Sequence, residues 1–263
     1  MCYIRSKQVL ILCFLTYTIN TNETGELFMY SFTSHIRFSE VNPERTLSVS
    51  SLINYFQDCS TFQSESLGKG FDYLEPLHRV WLLSAWQVKI YRMPKLGDFV
   101  RIGTWPHRFN GFYGDRNFIL QDEQEETLAI ANSIWIYADT QTGKPTRIPA
   151  EHIEGYILEP PYPMEYASRK IALPKEYTVQ PSFLVTQSHL DYNQHVNNGQ
   201  YIRMAEVFLP NNFKVKEIRA DYRKSALLHN EIYPLVSITE QDCTVVLADA
   251  DHKPYTTVQF LKN

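Results

Sequence analysis

Glycine is scarce in this chain, at 10 of 263 residues, and cysteine is scarcer, at four. Cys2, Cys13, Cys59 and Cys243 show neither CxxC nor Cys–His spacing, which excludes a zinc site or a disulfide framework of recognisable pattern. No metal and no cofactor is expected, and a reducing, cytoplasmic setting is. Positive charge is not in excess. The 25 lysines and arginines against 29 acids leave −4, without the basic field of a nucleic-acid-binding protein. Long apolar runs are missing as well. Val9–Leu15, behind Arg5 and Lys7, is too short to cross a membrane, and the Thr-Tyr-Thr-Ile-Asn-Thr after it offers no small-x-small cleavage site. Residues 1–28 read as a dispensable extension, with Met29 as an alternative start, and no stable membrane insertion is expected.

Aromatics are abundant, with 17 Tyr, 15 Phe and 4 Trp, and 44% of residues are hydrophobic. That is enough apolar volume for a substantial core, and it favours strands. Tyr30–Phe38 alternates like a strand, and after Asn42-Pro43 the segment Thr46–Leu67 reads as a helix with Leu52, Tyr55, Phe56, Cys59 and Phe62 on one stripe. Strands are expected at Val80–Tyr91, Phe99–Phe109, Phe118–Asp122 and Thr127–Ala138. Six of the 14 prolines fall between Gly143 and Pro174, so residues 143–176 read as a linker with one short helix near Ala150–Tyr156. The grammar then repeats. A strand is expected at Tyr177–Gln187, a helix from about Val196 to Leu209, and strands at Val215–Lys224, Glu231–Glu240, Cys243–Asp249 and Tyr255–Leu261. The expected units are therefore 29–142, a linker at 143–176, and 177–263.

The chemistry concentrates between Leu190 and Tyr201, where Asp191, Asn193 and His195 occupy every second position and Asn197 and Asn198 follow. An extended segment would turn the first three to one face, just before a helix whose leading N–H groups carry partial positive charge. The same composition also reads as turns and caps. The two halves align without gaps here, Val41–Leu47 against Leu190–Val196, and further on Tyr91-Arg92 matches Tyr222-Arg223. The first half has Asn42, Glu44 and Thr46 in place of the acid, amide and imidazole, so one working site is expected. Strand, helix and antiparallel set, repeated, is the α+β pattern of a tandem hotdog, two sheets joined into one with a helix packed on each.

The motif Asp191-x-Asn193-x-His195-Val-Asn-Asn-x-x-Tyr201 resembles the signature of the plant and bacterial acyl-acyl carrier protein thioesterases. Trp86, Pro94-x-x-Gly97-Asp98, Thr104-Trp105, Arg116 and Ser133-x-Trp135 add to the resemblance, which spans about Tyr30 to Leu261. It implies two hotdog domains and hydrolysis of the thioester linking a fatty acyl chain to acyl carrier protein. The family often places a Glu shortly after the second-domain Tyr-Arg, but Ser225 follows Tyr222-Arg223-Lys224 here, leaving at most a water-holding hydroxyl.

Within that expectation Asn193 and the helix-start N–H groups would hold the carbonyl oxygen, His195 would deprotonate water, and Asp191 would orient His195. Asn197, Asn198, Tyr201, Tyr55, Cys59 and Trp86 are candidate substrate contacts. Lys214, Lys216, Arg219, Arg223 and Lys224 form a candidate docking patch for the acidic carrier protein. The competing readings are a non-catalytic acyl- or carrier-binding module, and a coenzyme A thioesterase or dehydratase on the same fold. Monomer and homodimer both fit a tandem chain.

Overall fold

The computed structural model describes residues 28–262; the expectations for the N-terminal extension, and Cys2 and Cys13 with it, lie outside the described residues. The first half comprises β1 (Tyr30–His35), the long helix α1 (Val49–Ser66), a short α2 (Phe71–Leu74), β2 (Arg79–Ile90), β3 (Phe99–Asn110), β4 (Tyr113–Asp122) and β5 (Thr127–Asp139). The short α3 (Ala150–Ile153) follows. The second half comprises β6 (Thr178–Val179), β7 (Phe183–Leu184), α4 (Asn198–Glu206), β8 (Glu217–Tyr222), β9 (Glu231–Ile238), β10 (Asp242–Ala248) and β11 (Pro254–Leu261).

All the strands join in one sheet of order β1-β3-β4-β5-β2-β8-β11-β10-β9-β6, with β7 also on β9. Outward from the centre, the first half runs β2, β5, β4, β3, β1, and the second β8, β11, β10, β9, β6. At the junction β2 and β8 pair antiparallel, from Ala85 opposite Asp221 to Lys89 opposite Glu217. The architecture is a tandem hotdog.

Alternation decides which residues meet the helices. Val88, Val100, Ile102, Phe118 and Leu120 turn to one face and form a single core with Leu52 and Phe56 of α1 and Ile202 and Ala205 of α4. Phe56 is fully buried, with its ring centroid 5.3 Å from Phe118 and 6.2 Å from Trp86, so its truncation to Ala should cost about 3–5 kcal/mol. Phe62, expected on the buried stripe, is exposed and packs edge-on against Phe32.

Trp105, Ile119 and Ile130 turn to the opposite face, where Tyr162 and Met164 of the proline-rich stretch cover them. That stretch straps the back of the sheet. Trp105 Nε1 donates to the Pro160 carbonyl, Asn117 Oδ1 accepts from the Tyr162 amide and the Tyr166 hydroxyl, and the Gln87 side chain bonds both Glu165 O and Ala167 N.

Four expectations need correction. β4 begins at Tyr113, five residues early, because Gly114-Asp115-Arg116-Asn117 is buried despite its polarity. Gly111, at φ +65°, makes the tight turn from β3 that such an early start requires. The strand expected at Tyr177–Gln187 is broken into β6 and β7, since Pro181 between them has no N–H for the ladder. The helices start later than expected, at Val49 and Asn198, with Ser48 and Asn197 as side-chain caps. Finally, Tyr91 and Arg92 both donate to Leu128 O while Arg223 and Lys224 both donate to Tyr255 O, so the match of Tyr91-Arg92 to Tyr222-Arg223 is out of register by one.

Candidate active site

The loop bearing the motif is a tight turn, which corrects the expected extended segment. Leu190 and Val196 bridge, the Asp191 N–H donates to His195 O at 2.8 Å, and Gln194 adopts φ +60°. The Asp191 Oδ1 accepts from the amides of Asn193 (2.8 Å) and His195 (3.2 Å). Asp191 thus holds His195 through its backbone; among the described residues nothing bonds the imidazole itself. The first half repeats this turn. Val41 and Leu47 bridge, Asn42 N–H donates to Thr46 O, Arg45 has φ +62°, and Asn42 Oδ1 accepts from the Thr46 amide.

Asn197 Oδ1 accepts from the Gly199 amide at 2.8 Å, so Asn197 caps α4 and does not reach the cavity described below. The loop is clamped to the segment that follows β8. Val196 N–H donates to Ala226 O, and Ala226 N–H donates to the Tyr201 hydroxyl at 2.8 Å. This sets Ser225, in the slot of the missing Glu, beside the start of α4. Burial pushes the phenols of Tyr201 and Tyr222 up, and Tyr222 donates its hydroxyl proton to Asn198 O.

A cavity of about 650 Å³ lies between the halves. The second half contributes Asp191, Asn193, His195, Asn198, Tyr201 and Ser225. The first contributes one face of α1, where Gln57, Ser60, Thr61 and Ser64 recur at helical spacing, together with residues of β2 and β4. Asn198 Nδ2 donates to Gln57 Oε1 at 2.9 Å, tying the start of α4 to α1. Tyr192 and Phe71, both exposed, meet with ring centroids 5.3 Å apart, and the Tyr192 hydroxyl donates to Glu75 Oε2. The apolar stripe of α1 masks the polar one beside it in the sequence; the signal of the polar stripe is the recurrence of Gln57, Ser60, Thr61 and Ser64.

Besides Asn197, three expected substrate contacts do not line this cavity. Tyr55 donates to Glu40 Oε2, Cys59 sits in the core where burial pushes its thiol up, and Trp86 is buried with Nε1 unpartnered. Of the cavity's carboxylates, Asp115 is paired with Arg108, Glu65 accepts from the Phe71 amide, and Glu75 accepts from Tyr192. Asp191 alone shares the loop of His195. No group of His, Cys, Asp and Glu among the described residues could hold a metal ion.

The expected docking patch divides. Arg219 donates to Ser168 O and Gln259 Oε1, Arg223 pairs with Asp221 and reaches Ile171 O, and Lys224 pairs with Asp249. Arg219 and Arg223 thereby tie the linker to the sheet, while the ion pair of Lys224 is exposed. Lys214 and Lys216 remain exposed.

A model of the acyl-ACP thioesterase N-terminal domain matches residues 25–156, half of the chain. The chain is 27% identical over 237 residues to the palmitoyl-acyl carrier protein thioesterase, chloroplastic, of Arabidopsis thaliana, with 84% of this chain and 57% of that relative covered. It therefore spans little more than half that relative's length. Among solved structures, an acyl-ACP thioesterase from Bacteroides thetaiotaomicron superposes with TM-score 0.81 at 20% identity, covering 89% of this chain and 97% of that one. A 12:0-ACP thioesterase from Umbellularia californica gives 0.79, also at 20% identity, over 89% and 96%. These superpositions agree with the tandem hotdog derived from strand order, and the family model that matches residues 25–156 shows that the chain belongs to the acyl-ACP thioesterase family.

Proposed function

We propose that this chain hydrolyses the thioester of a fatty acyl group carried on acyl carrier protein, releasing the free acid and the carrier thiol. The observation that carries this reading is that His195 and Asn193, whose side chains bond nothing among the described residues, both line the cavity just before α4. The Asn193 amide and the positive end of α4 polarise the thioester carbonyl. His195 takes a proton from water as the oxygen adds to the carbonyl carbon. The tetrahedral intermediate then collapses by breaking the C–S bond, and the imidazolium returns its proton to the sulfur. Asp191 keeps the loop in register through its amide bonds. Ser225 holds the attacking water by its hydroxyl.

In this reading the first half shapes the acyl pocket and the second carries the chemistry. Exposed Lys214 and Lys216 receive the acidic carrier. The protein works in a reducing, cytoplasmic setting consistent with buried free Cys59 and Cys243; among the described residues no helix is long and apolar enough to cross a membrane.

The test is release of free thiol from a ladder of acyl-carrier thioesters, with the same chains on coenzyme A in parallel, for wild type and Asn193→Ala. Release that collapses in the variant supports the assignment. A second reading, a carrier- or acyl-binding module without turnover, is favoured by Ser225 standing where the family often has Glu; acyl-carrier binding with no release from any substrate would establish it.

A further inference from the structure

The polar stripe of α1 presents protons to the cavity at one residue. Ser60 and Thr61 both donate their hydroxyl protons to Gln57 O, and Ser64 donates to Ser60 O, so these three are satisfied within the helix. Gln57 differs. Its Oε1 accepts from Asn198 Nδ2 at 2.9 Å, while its Nε2 donates to nothing among the described residues. A side-chain amide nitrogen carries two donors, and with the oxygen turned to Asn198 they are left for the cavity that Gln57 lines.

A second donor stands beside it. In the first turn of α4, the Gly199 amide donates to Asn197 Oδ1, and the Gln200 and Tyr201 amides donate to Asn197 O. In that turn the Asn198 N–H alone has no acceptor among the described residues. Asn198 lines the same cavity as His195 and Asn193, a few residues before it.

The other half shows what such a place takes. The gapless alignment of the two turns sets Val49 against Asn198 and Gln57 against Glu206. Glu206 lies near the start of α1, where the Val49 and Ser50 amides pull its pKa down. The helix start without the acid, amide and imidazole is therefore served by a carboxyl oxygen of the chain itself. At α4 the facing residue is a neutral amide with free protons, and the oxygen that fits between it and the Asn198 N–H is a ligand's.

We propose that Gln57 is a catalytic residue, whose Nε2–H joins the Asn198 N–H in holding the thioester oxygen, so that the first half supplies a donor to the active site of the second. As water adds, the carbonyl π pair moves onto that oxygen, and Gln57, the Asn198 N–H and Asn193 stabilise the charge as it forms. The proposal rests on the thioesterase reading for its kinetic consequence, and on acyl binding alone for its spectroscopic one.

Wild type, Gln57→Met and Asn198→Ala are to be compared by thiol release from acyl-carrier thioesters. Gln57→Met removes the donors, whereas Asn198→Ala removes the side-chain clamp and leaves the Asn198 N–H and the Gln57 amide in place. Gln57→Met should lower kcat by about a hundred- to a thousandfold with KM within about threefold, and Asn198→Ala should lose no more than about tenfold in kcat. Gln57→Glu keeps an oxygen for Asn198 Nδ2 but has no amide protons; its kcat should fall as far, and it decides the matter should Gln57→Met not fold. The second readout needs no turnover. A ketone analogue on the carrier protein, with methylene in place of the thioester sulfur and an isotope label at the carbonyl carbon, has an infrared band that moves to lower frequency as its oxygen accepts hydrogen bonds. That band should lie lower on wild type than on Gln57→Met. If no thioester is cleaved, the thioesterase reading fails and the band still decides whether Gln57 holds the acyl oxygen. A band that does not differ between the two proteins, equal losses in Asn198→Ala and Gln57→Met, or a Gln57→Met kcat within about threefold of wild type overturns the proposal.

Discussion

The turn at 41–47 and the turn at 190–196 have the same backbone and different chemistry. Each closes with a bridge, places its fourth central residue at positive φ, and uses the side-chain oxygen of its first polar residue to accept from the amide four positions on. In the first turn those residues are Asn42 and Thr46, and the Thr46 hydroxyl also bonds Asn42. In the second they are Asp191 and His195, and the imidazole is left over. The difference teaches that Asp191 has a structural task which an amide does equally well, so its charge is surplus to the fold. The helices continue the comparison. Gln57 on α1 meets the start of α4 through Asn198, and the aligned Glu206 on α4 lies near the start of α1, where the Val49 and Ser50 amides and the Ser50 hydroxyl pull its pKa down.

The largest effect should come from removing what the second turn has and the first lacks. His195→Ala should lower kcat by about a hundred- to ten-thousandfold and Asn193→Ala by about a hundred- to a thousandfold, measured by thiol release at saturating substrate. Thr46→Ala in the first turn should leave kcat within about twofold; a loss matching that of His195→Ala would break the comparison.

Asp191→Asn installs the residue that the first turn uses. Chemical denaturation should find its stability within about 0.5 kcal/mol of wild type, while kcat falls about tenfold as the carboxylate in the loop of His195 is lost. Unchanged turnover would reduce Asp191 to a loop residue.

Glu206 against Gln57 gives a smaller, pH-dependent effect. Burial pushes the Glu206 carboxyl from 4.5 up to about 7, against the opposing pull of its N–H donors. The folded chain thus holds a proton that the unfolded chain has released, and stability falls as pH rises through the window between about 4.5 and about 7. The loss is on the order of 3 kcal/mol. Glu206→Gln should flatten this slope in denaturation curves taken across the window; an unaltered slope would assign it to other groups.

The smallest effect is expected outside the cavity. Lys214→Glu with Lys216→Glu should raise KM for carrier-linked substrate a few-fold at low salt, and the difference should fade at high salt.

Local pattern carried much of this molecule. The helices, most of the strands and the gapless alignment of the two turns follow from periodicity and from Asn, Asp and Pro at turn positions, which act within a few residues. Where polarity and burial conflict, that legibility ends. Asp115, Arg116 and Asn117 read as a loop because three consecutive polar side chains seldom enter a sheet, and they do so here only because Arg108, Gln63 and the linker amide at Tyr162 supply partners from distant segments. Tyr55, Cys59 and Trp86 read as pocket residues because a stripe of large side chains does not reveal which neighbour will cover it.

By itself, the sequence determined the repeated strand–helix grammar, the placement of Asp191, Asn193 and His195 in the second copy alone, and the absence of the Glu at Ser225. Only the tertiary structure decided that Asp191 holds a loop rather than a ring, that Arg219 and Arg223 tie down the linker, and that Arg116 lines the cavity while bonding Gln63 and Thr104. The physical reason is range. Turns and helices are set by neighbours in the chain, while the partner of a buried charge is chosen by whatever the sheet brings across from another part of it.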